Sequence, residues 1–319
     1  MDRCPVELWM KIITLACIDG GYTGSSLSFV SRTMRDVVEP LRFQSVSLIS
    51  EEQQLAFSNL LRARGPSPPV IRHLLVFVKM HRGDEAEPDD AAKTVGLQQT
   101  LRDILSVAAP NLETLVVHDT RFDLASSGLV FPALCNLSVD GLGCSSETVS
   151  RFPSLRRLHI TSEYESSAGF WSGLAHSAPS LTHLRLSCLY LLDLFTPSFL
   201  CAFLDSPVVV EADEDTPSSE EGAAIARKLP TLKHIIVQPY QPSIFDGWCG
   251  NIAERHFTMQ SELCKIAHAC AQRQGIGKLY VLPSSYAYDV DEAQRDWLDT
   301  IEGGDGAWSA NTEEHTSYL

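Results

Sequence analysis

One apolar phrase organises most of the chain: a proline followed at the second, fifth and seventh positions by aliphatic residues. It occurs at Pro110 (Leu112, Leu115, Val117), Pro132 (Leu134, Leu137, Val139), Pro153 (Leu155, Leu158, Ile160), Pro179 (Leu181, Leu184, Leu186) and Pro230 (Leu232, Ile235, Val237). Looser copies stand at Pro69 (Ile71, Leu74, Val76) and Pro207 (Val209), so successive spacings are 41, 22, 21, 26, 28 and 23 residues. The fifth and seventh positions alternate as one face of a strand does, and the period leaves room for a turn and a helix. Such a unit cannot bury its own apolar face. The copies are therefore expected to stack into a curved solenoid of α/β class, with a parallel sheet on the concave face.

The stretches between the strands read as helices on the convex side. Leu97, Leu101, Ile104, Leu105 and Ala108 form one stripe, Phe199, Leu200, Phe203 and Leu204 another, and Ile252, Leu263, Ile266, Ala267 and Cys270 a longer one. Lys278 to Leu282 reads as the last strand, which bounds the repeats at residues 46–282. Asp291 to Glu302 then reads as a helix stopped by Gly303-Gly304. We expect residues 283–308 to form a C-terminal cap over the last apolar face, with Trp297 and Trp308 as packing residues, and 309–319 to be a disordered tail. Two acidic, turn-rich breaks, Gly83 to Asp90 and Glu211 to Glu221, read as solvated loops, with a regulated docking segment as the alternative.

Residues 1–45 do not share the phrase. Pro5 suits a first helical turn, and Leu8, Ile12 and Leu15 follow at helical spacing with Trp9, Ile13 and Ala16 beside them. After Asp19-Gly20-Gly21 a second apolar series, Leu27, Val30, Met34, Val37 and Val38, runs to Pro40. So small a helical unit cannot hide this much apolar surface, and part of it is expected to meet a partner.

Composition narrows the partners. Against 25 basic side chains stand 40 acidic ones, a formal charge of -15 that repels phosphate backbones and anionic lipid, so neither nucleic acid nor membrane is expected. The nine cysteines include no Cys-x-x-Cys and read as reduced thiols. No secretion signal and no long apolar segment is evident, so the expectation is a soluble protein of the cytoplasm or nucleus, monomeric outside any complex.

The first segment resembles an F-box. The residues that carry the likeness are Cys4-Pro5-Val6-Glu7-Leu8, Ile12-Ile13, Leu27, Phe29-Val30-Ser31-Arg32, Met34-Arg35, Pro40-Leu41 and Phe43. The stretch from Ala16 to Gly24 and the tail Asp296-Trp297-Leu298 with Ile301-Glu302-Gly303 resemble large fungal F-box families that carry leucine-rich repeats behind the box. The resemblance implies a non-catalytic substrate receptor of an SCF-type cullin-RING ubiquitin ligase, binding a Skp-type adaptor, and through it a cullin, by the F-box, and an unidentified protein substrate by the repeats. Its contribution is proximity, which raises the effective concentration of the reacting lysine. Carried over by position, the adaptor-binding residues are Pro5, Leu8, Ile12, Ile13, Leu27, Val30, Met34, Pro40 and Leu41. The sequence departs from the family pattern at Cys4, Met34 and Leu41-Arg42-Phe43.

On the repeats, the fourth, sixth and eighth positions after each proline point away from the core face. There Arg157, His159, His183 and Arg185 make two basic rungs, Glu211, Asp213 and Asp215 an acidic one if Pro207 starts a strand, and His234 the next. Arg185 could pair with Asp213, and Glu211 could lie between His183 and His234. Three readings stay open: cross-strand pairing on a solvated face, a substrate-docking patch of Arg157, His159, His183, Arg185 and His234, and a metal site of His183, Glu211 and His234. No cofactor is expected. Gly-x-Ser-x-Gly, His-Glu-x-x-His and Gly-x-x-x-x-Gly-Lys do not occur, and Asp213-Glu214-Asp215 lacks a phosphate cradle.

Overall fold

A computed structural model of the chain describes residues 5–64, 68–78, 88–118, 120, 122–124, 127–142, 151–161, 168–189, 195–206, 208, 224, 227, 229–241, 251–272, 277–285 and 288–309. Glu211 to Glu221, residues 83–87 of the first acidic break and residues 310–319 lie outside the described residues. The chain divides into two compact units, Met1–Phe122 with Leu129–Leu134 and Val290–Ala307, and Asp123–Gly128 with Cys135–Asp289 and Trp308–Leu319. The fold is α/β, with parallel strands following chain order in each unit.

The first unit opens with helices α1 (Val6–Ala16), α2 (Tyr22–Ser28) and α3 (Arg32–Val38). The apolar series from Leu27 to Val38 is thus broken. Ser31 stops it, because its hydroxyl accepts from Met34 N at 3.1 Å and caps a new helix. At α2 the N-cap is Gly21, and the Asp19 carboxylate two residues before it accepts from Thr23 N at 2.9 Å and Thr23 Oγ1 at 2.6 Å. Ile13, Cys17, Met34 and Val38 are buried together, with Trp9, Leu27, Val37 and Leu41 packed around them.

Strands β1 (Ser45–Leu48), β2 (His73–Phe77) and β3 (Thr114–His118) follow, with helices α4 (Glu51–Ala63) and α5 (Pro88–Ala108) between them. Ser47 pairs with Leu75, and Leu75 with Val116. The second unit holds β4 (Asn136–Val139), β5 (Arg157–Ile160), β6 (His183–Leu189), β7 (His234–Pro239) and β8 (Lys278–Val281). Its helices are α6 (Ala168–Ser177), α7 (Phe195–Phe203) and α8 (Asn251–Ala271).

Every strand from β2 to β7 begins four residues after its proline, so the fifth and seventh positions fall on the core face. Leu74, Val76, Leu115, Val117, Leu137, Val139, Leu158, Ile160, Leu184, Leu186, Ile235 and Val237 are all buried. The helices close that face with Leu97, Leu101, Ile104 and Leu105 on α5 and Leu263 and Ile266 on α8, and Trp171 stacks on Phe199 at 4.0 Å between centroids. Full burial of one such side chain contributes about 1.5–3 kcal/mol, so each copy of the phrase stabilises the sheet through its two buried strand positions.

Two expectations are corrected here. No strand stands between β6 and β7, because His183 pairs directly with His234 and Arg185 with Ile236, and Pro207 and Val209 lie outside the described residues. Helix α9 (Val290–Ile301) does not cap the end after β8, because it belongs to the first unit and packs on β2 and β3. The reason is chemical. Leu75, Phe77 and Val116 make the opposite face of β2 and β3 apolar as well, and that face needs a cover. Trp297, 1 % exposed, supplies it. A methyl group added at Gly20 would lie 3.1 Å from Ser47 Cβ and 3.7 Å from Trp297 Cζ3, so the edge of the indole lies beside the Gly20 turn that bonds to β1. Among the described residues no helix is long and apolar enough to cross a membrane.

Candidate functional site

Helix α1 has two apolar stripes, and only one is used internally. Trp9, Ile13 and Cys17 repeat at i, i+4 and i+8 and face α3. Leu8, Ile12 and Leu15 repeat at i, i+4 and i+7 and stay 48 %, 53 % and 74 % exposed. The turn between α2 and α3 adds Phe29 and Val30, 80 % and 64 % exposed. Pro5 and Pro40 are exposed too, and Leu27 and Leu41 are half-buried against the helical core.

Ile13 and Met34 correct the expectation drawn for them. Both are buried among the helices and have no surface to offer a partner. Sequence reasoning missed Phe29, Leu15 and Tyr22 as surface residues. The signal for Leu15 was present, since it falls on the Leu8–Ile12 stripe rather than on that of Trp9 and Ile13.

The helices are bonded to β1. The Gln44 side-chain amide donates to the carbonyls of Thr14 and Cys17, Gly20 N donates to Ser45 Oγ at 3.1 Å, and Ser47 N donates to Gly20 O at 3.3 Å. Gly20 and Gly21 have φ of 79° and 101°, a region that suits glycine, so this turn can reach the strand. Burial and then the charge of Asp19 push the Cys17 thiol up to about 11, so it stays protonated and acts as a core residue.

The second candidate surface is the opposite face of β4 to β7. His159, 1 % exposed, is held at both nitrogens, Nδ1 lying 3.2 Å from Ser138 Oγ and Nε2 2.9 Å from Ser187 Oγ. Arg185 is also buried, donating from Nε to Ser187 Oγ at 3.0 Å and from its terminal nitrogen to Gln238 Oε1 at 2.9 Å. Gln238 in turn donates to Pro283 O at 3.3 Å. The edge of the His159 ring meets Tyr288 at 4.8 Å between centroids. Neither His159 nor Arg185 therefore lines an open patch, because both complete an internal polar network.

His183 and His234 stack face to face at 4.5 Å, and Trp308 meets His183 edge-on at 5.7 Å. Both rings and Arg157 are half-buried. Partial burial, and then the charges of Lys278 and Lys233, lower the pKa of His234. The metal reading required a strand carrying Glu211 between the two histidines, and the direct pairing of β6 with β7 removes it. Asp213 lies outside the described residues, and the Arg185 guanidinium is committed to Ser187 and Gln238. Among the described residues no group of three or more metal-ligating side chains converges.

No protein-family model matches the chain, and no curated protein matches it.

Proposed function

We propose that the chain is the substrate-recognition subunit of an SCF-type cullin-RING ubiquitin ligase. On this reading α1 to α3 form an F-box that docks on a Skp-type adaptor, and a leucine-rich-repeat solenoid holds the protein to be ubiquitylated. The observation that carries it is the exposed stripe Leu8, Ile12 and Leu15, standing beside a separate stripe that already satisfies the helical core. Three large aliphatic side chains aligned on one helix face are costly to leave in water and mark a protein interface. Pro5, Val30 and Pro40, exposed just outside the ends of α1, α2 and α3, belong to the proposed contact. The receptor has no chemical step of its own, and it acts in the cytoplasm or nucleus, where the ligase works.

The test is a pull-down of the full chain on purified Skp-type adaptor, comparing the native protein with Leu8→Ala combined with Pro40→Ala. Binding that the double substitution abolishes while the fold survives supports the reading. Equal binding, or none by the native chain, leaves a repeat scaffold with an F-box-like segment and no role in ubiquitylation.

A further inference from the structure

The strands of the second unit begin along one edge of the sheet, and that edge gathers basic side chains on consecutive rungs. Arg157, His183 and His234 open β5, β6 and β7 and are register partners, and Lys278, which opens β8, pairs with His234. Arg156 and Lys233 stand one residue earlier. Their carbonyls accept backbone N–H groups of the neighbouring rungs, His183 N donating to Arg156 O at 2.9 Å and Lys278 N to Lys233 O at 2.7 Å, so both residues stand at this edge. Partial burial lowers the pKa of His234, and the charges of Lys278 and Lys233 lower it further, which puts both ammonium groups near one ring. Arg156, Lys233 and Lys278 are exposed, and none of these side chains forms an ion pair or hydrogen bond with the described residues. Elsewhere Arg62, Lys93 and Lys265 each hold a carboxylate. In a chain with 40 acidic side chains against 25 basic ones, unpaired cations gathered between β5 and β8 are a charge without its counterpart.

We propose that this edge binds an acidic peptide segment of the protein that the repeats hold, its carboxylates meeting Arg156, Lys233 and Lys278. The inference rests on reading the repeats as a protein-binding surface, and it names the chemistry they take. Span decides for a peptide. From β5 to β8, rungs about 4.8 Å apart cover ~14 Å, the length of about four to five extended residues at about 3.4 Å each. A single small anion would meet only one or two of these cations, whereas acidic side chains spread along a strand reach all three. Each exposed pair is weak by itself, so binding needs several at once and is sensitive to salt. A nucleic acid carries its charge far beyond the strip, where a chain of formal charge -15 repels it.

Fluorescence anisotropy of a labelled Gly-Asp-Glu-Asp-Glu-Asp-Gly peptide, titrated with the full chain, tests this. Saturable binding is expected at about 50 mM NaCl, weakening at least ~3-fold by about 200 mM as exposed charges are screened. Lys233→Ala combined with Lys278→Ala removes two exposed, unpaired side chains and is expected to weaken binding at least ~10-fold with the fold intact. Lys11→Ala combined with Lys93→Ala removes the same charge from the first unit and should leave the affinity unchanged. No saturable binding overturns the proposal. Equal loss in the two double variants overturns it too, since bulk charge would then be responsible. So does equal binding of the peptide with Asn and Gln in place of its acids, or a tighter hold on a labelled single-stranded oligonucleotide. The assay contains no adaptor, so its failure leaves the docking of α1 untouched, and a failed adaptor pull-down leaves this result standing.

Discussion

The guanidinium of Arg64 lies over the ring of Phe43, 4.6 Å from its centroid. Arg42 approaches the same ring at 4.4 Å, and the Glu39 carboxylate forms ion pairs with both guanidinium groups. Burial lowers the pKa of both arginines, so each needs its partners. Phe43 also tilts against Phe57 at 5.8 Å, so one aromatic side chain ties the end of α3 to α4. Phe43→Leu keeps apolar volume but removes the π face. It is expected to cost about 1–3 kcal/mol in urea unfolding, and a double-mutant cycle with Arg64→Ala should show a coupling of about 0.5–2 kcal/mol. Additive losses would mean that the arginines merely sit nearby.

The two stripes of α1 separate stability from binding. Ile12→Ala lies on the exposed stripe and is expected to change unfolding free energy by no more than about 0.5 kcal/mol, whereas Ile13→Ala, one residue on, should cost about 2–4 kcal/mol. Thermal and urea melts of both variants check this. Similar losses at the two positions would show that the Leu8–Ile12–Leu15 stripe is covered in solution.

This pair also marks how far the sequence was legible. The proline phrase located six strands, β2 to β7, to the residue, because alternation and a fixed offset are local signals. The rung expected at Pro207 failed because the direct pairing of His183 with His234 is a long-range fact that no local phrase carries. The destination of Trp297 was hidden for a similar reason. Its burial follows from being a tryptophan on an amphipathic helix, but its seat beside the Gly20 turn depends on Leu75 and Val116 making a second apolar face some two hundred residues earlier. In α1 the sequence shows one wide apolar stripe, and its division into an inward and an outward half was decided only by the packing of Met34 and Val38.

Arg185 and Arg157 sit on paired rungs and should respond differently. Arg185→Ala leaves Ser187 and Gln238 short of a buried donor and is expected to cost about 2–4 kcal/mol, while Arg157→Ala on the half-buried rung costs about 1 kcal/mol or less. Urea unfolding of each variant checks the difference. The charge reversal Arg185→Glu should unfold the second unit rather than alter binding, because it places a carboxylate against the Gln238 oxygen in a buried network.

His73 gives the first unit a pH dependence. Burial, and then the charge of Arg72, lower its pKa from 6.5 to about 4. The unfolded chain therefore binds the extra proton at a higher pH than the folded one. Stability from this group is complete above about 6.5 and is lost as pH falls toward 4, amounting to on the order of 2 kcal/mol between pH 7 and pH 5. His234 and His256 are shifted the same way, so the informative quantity is a difference between proteins. His73→Leu keeps an apolar side chain in place of the ring and cannot take up the proton. Its unfolding free energy should fall less than that of the native chain over the same pH interval, by that same 2 kcal/mol or so. Parallel pH profiles for the two proteins would mean that water reaches the imidazole in the folded state, and that α9 does not seal the face on which His73 lies.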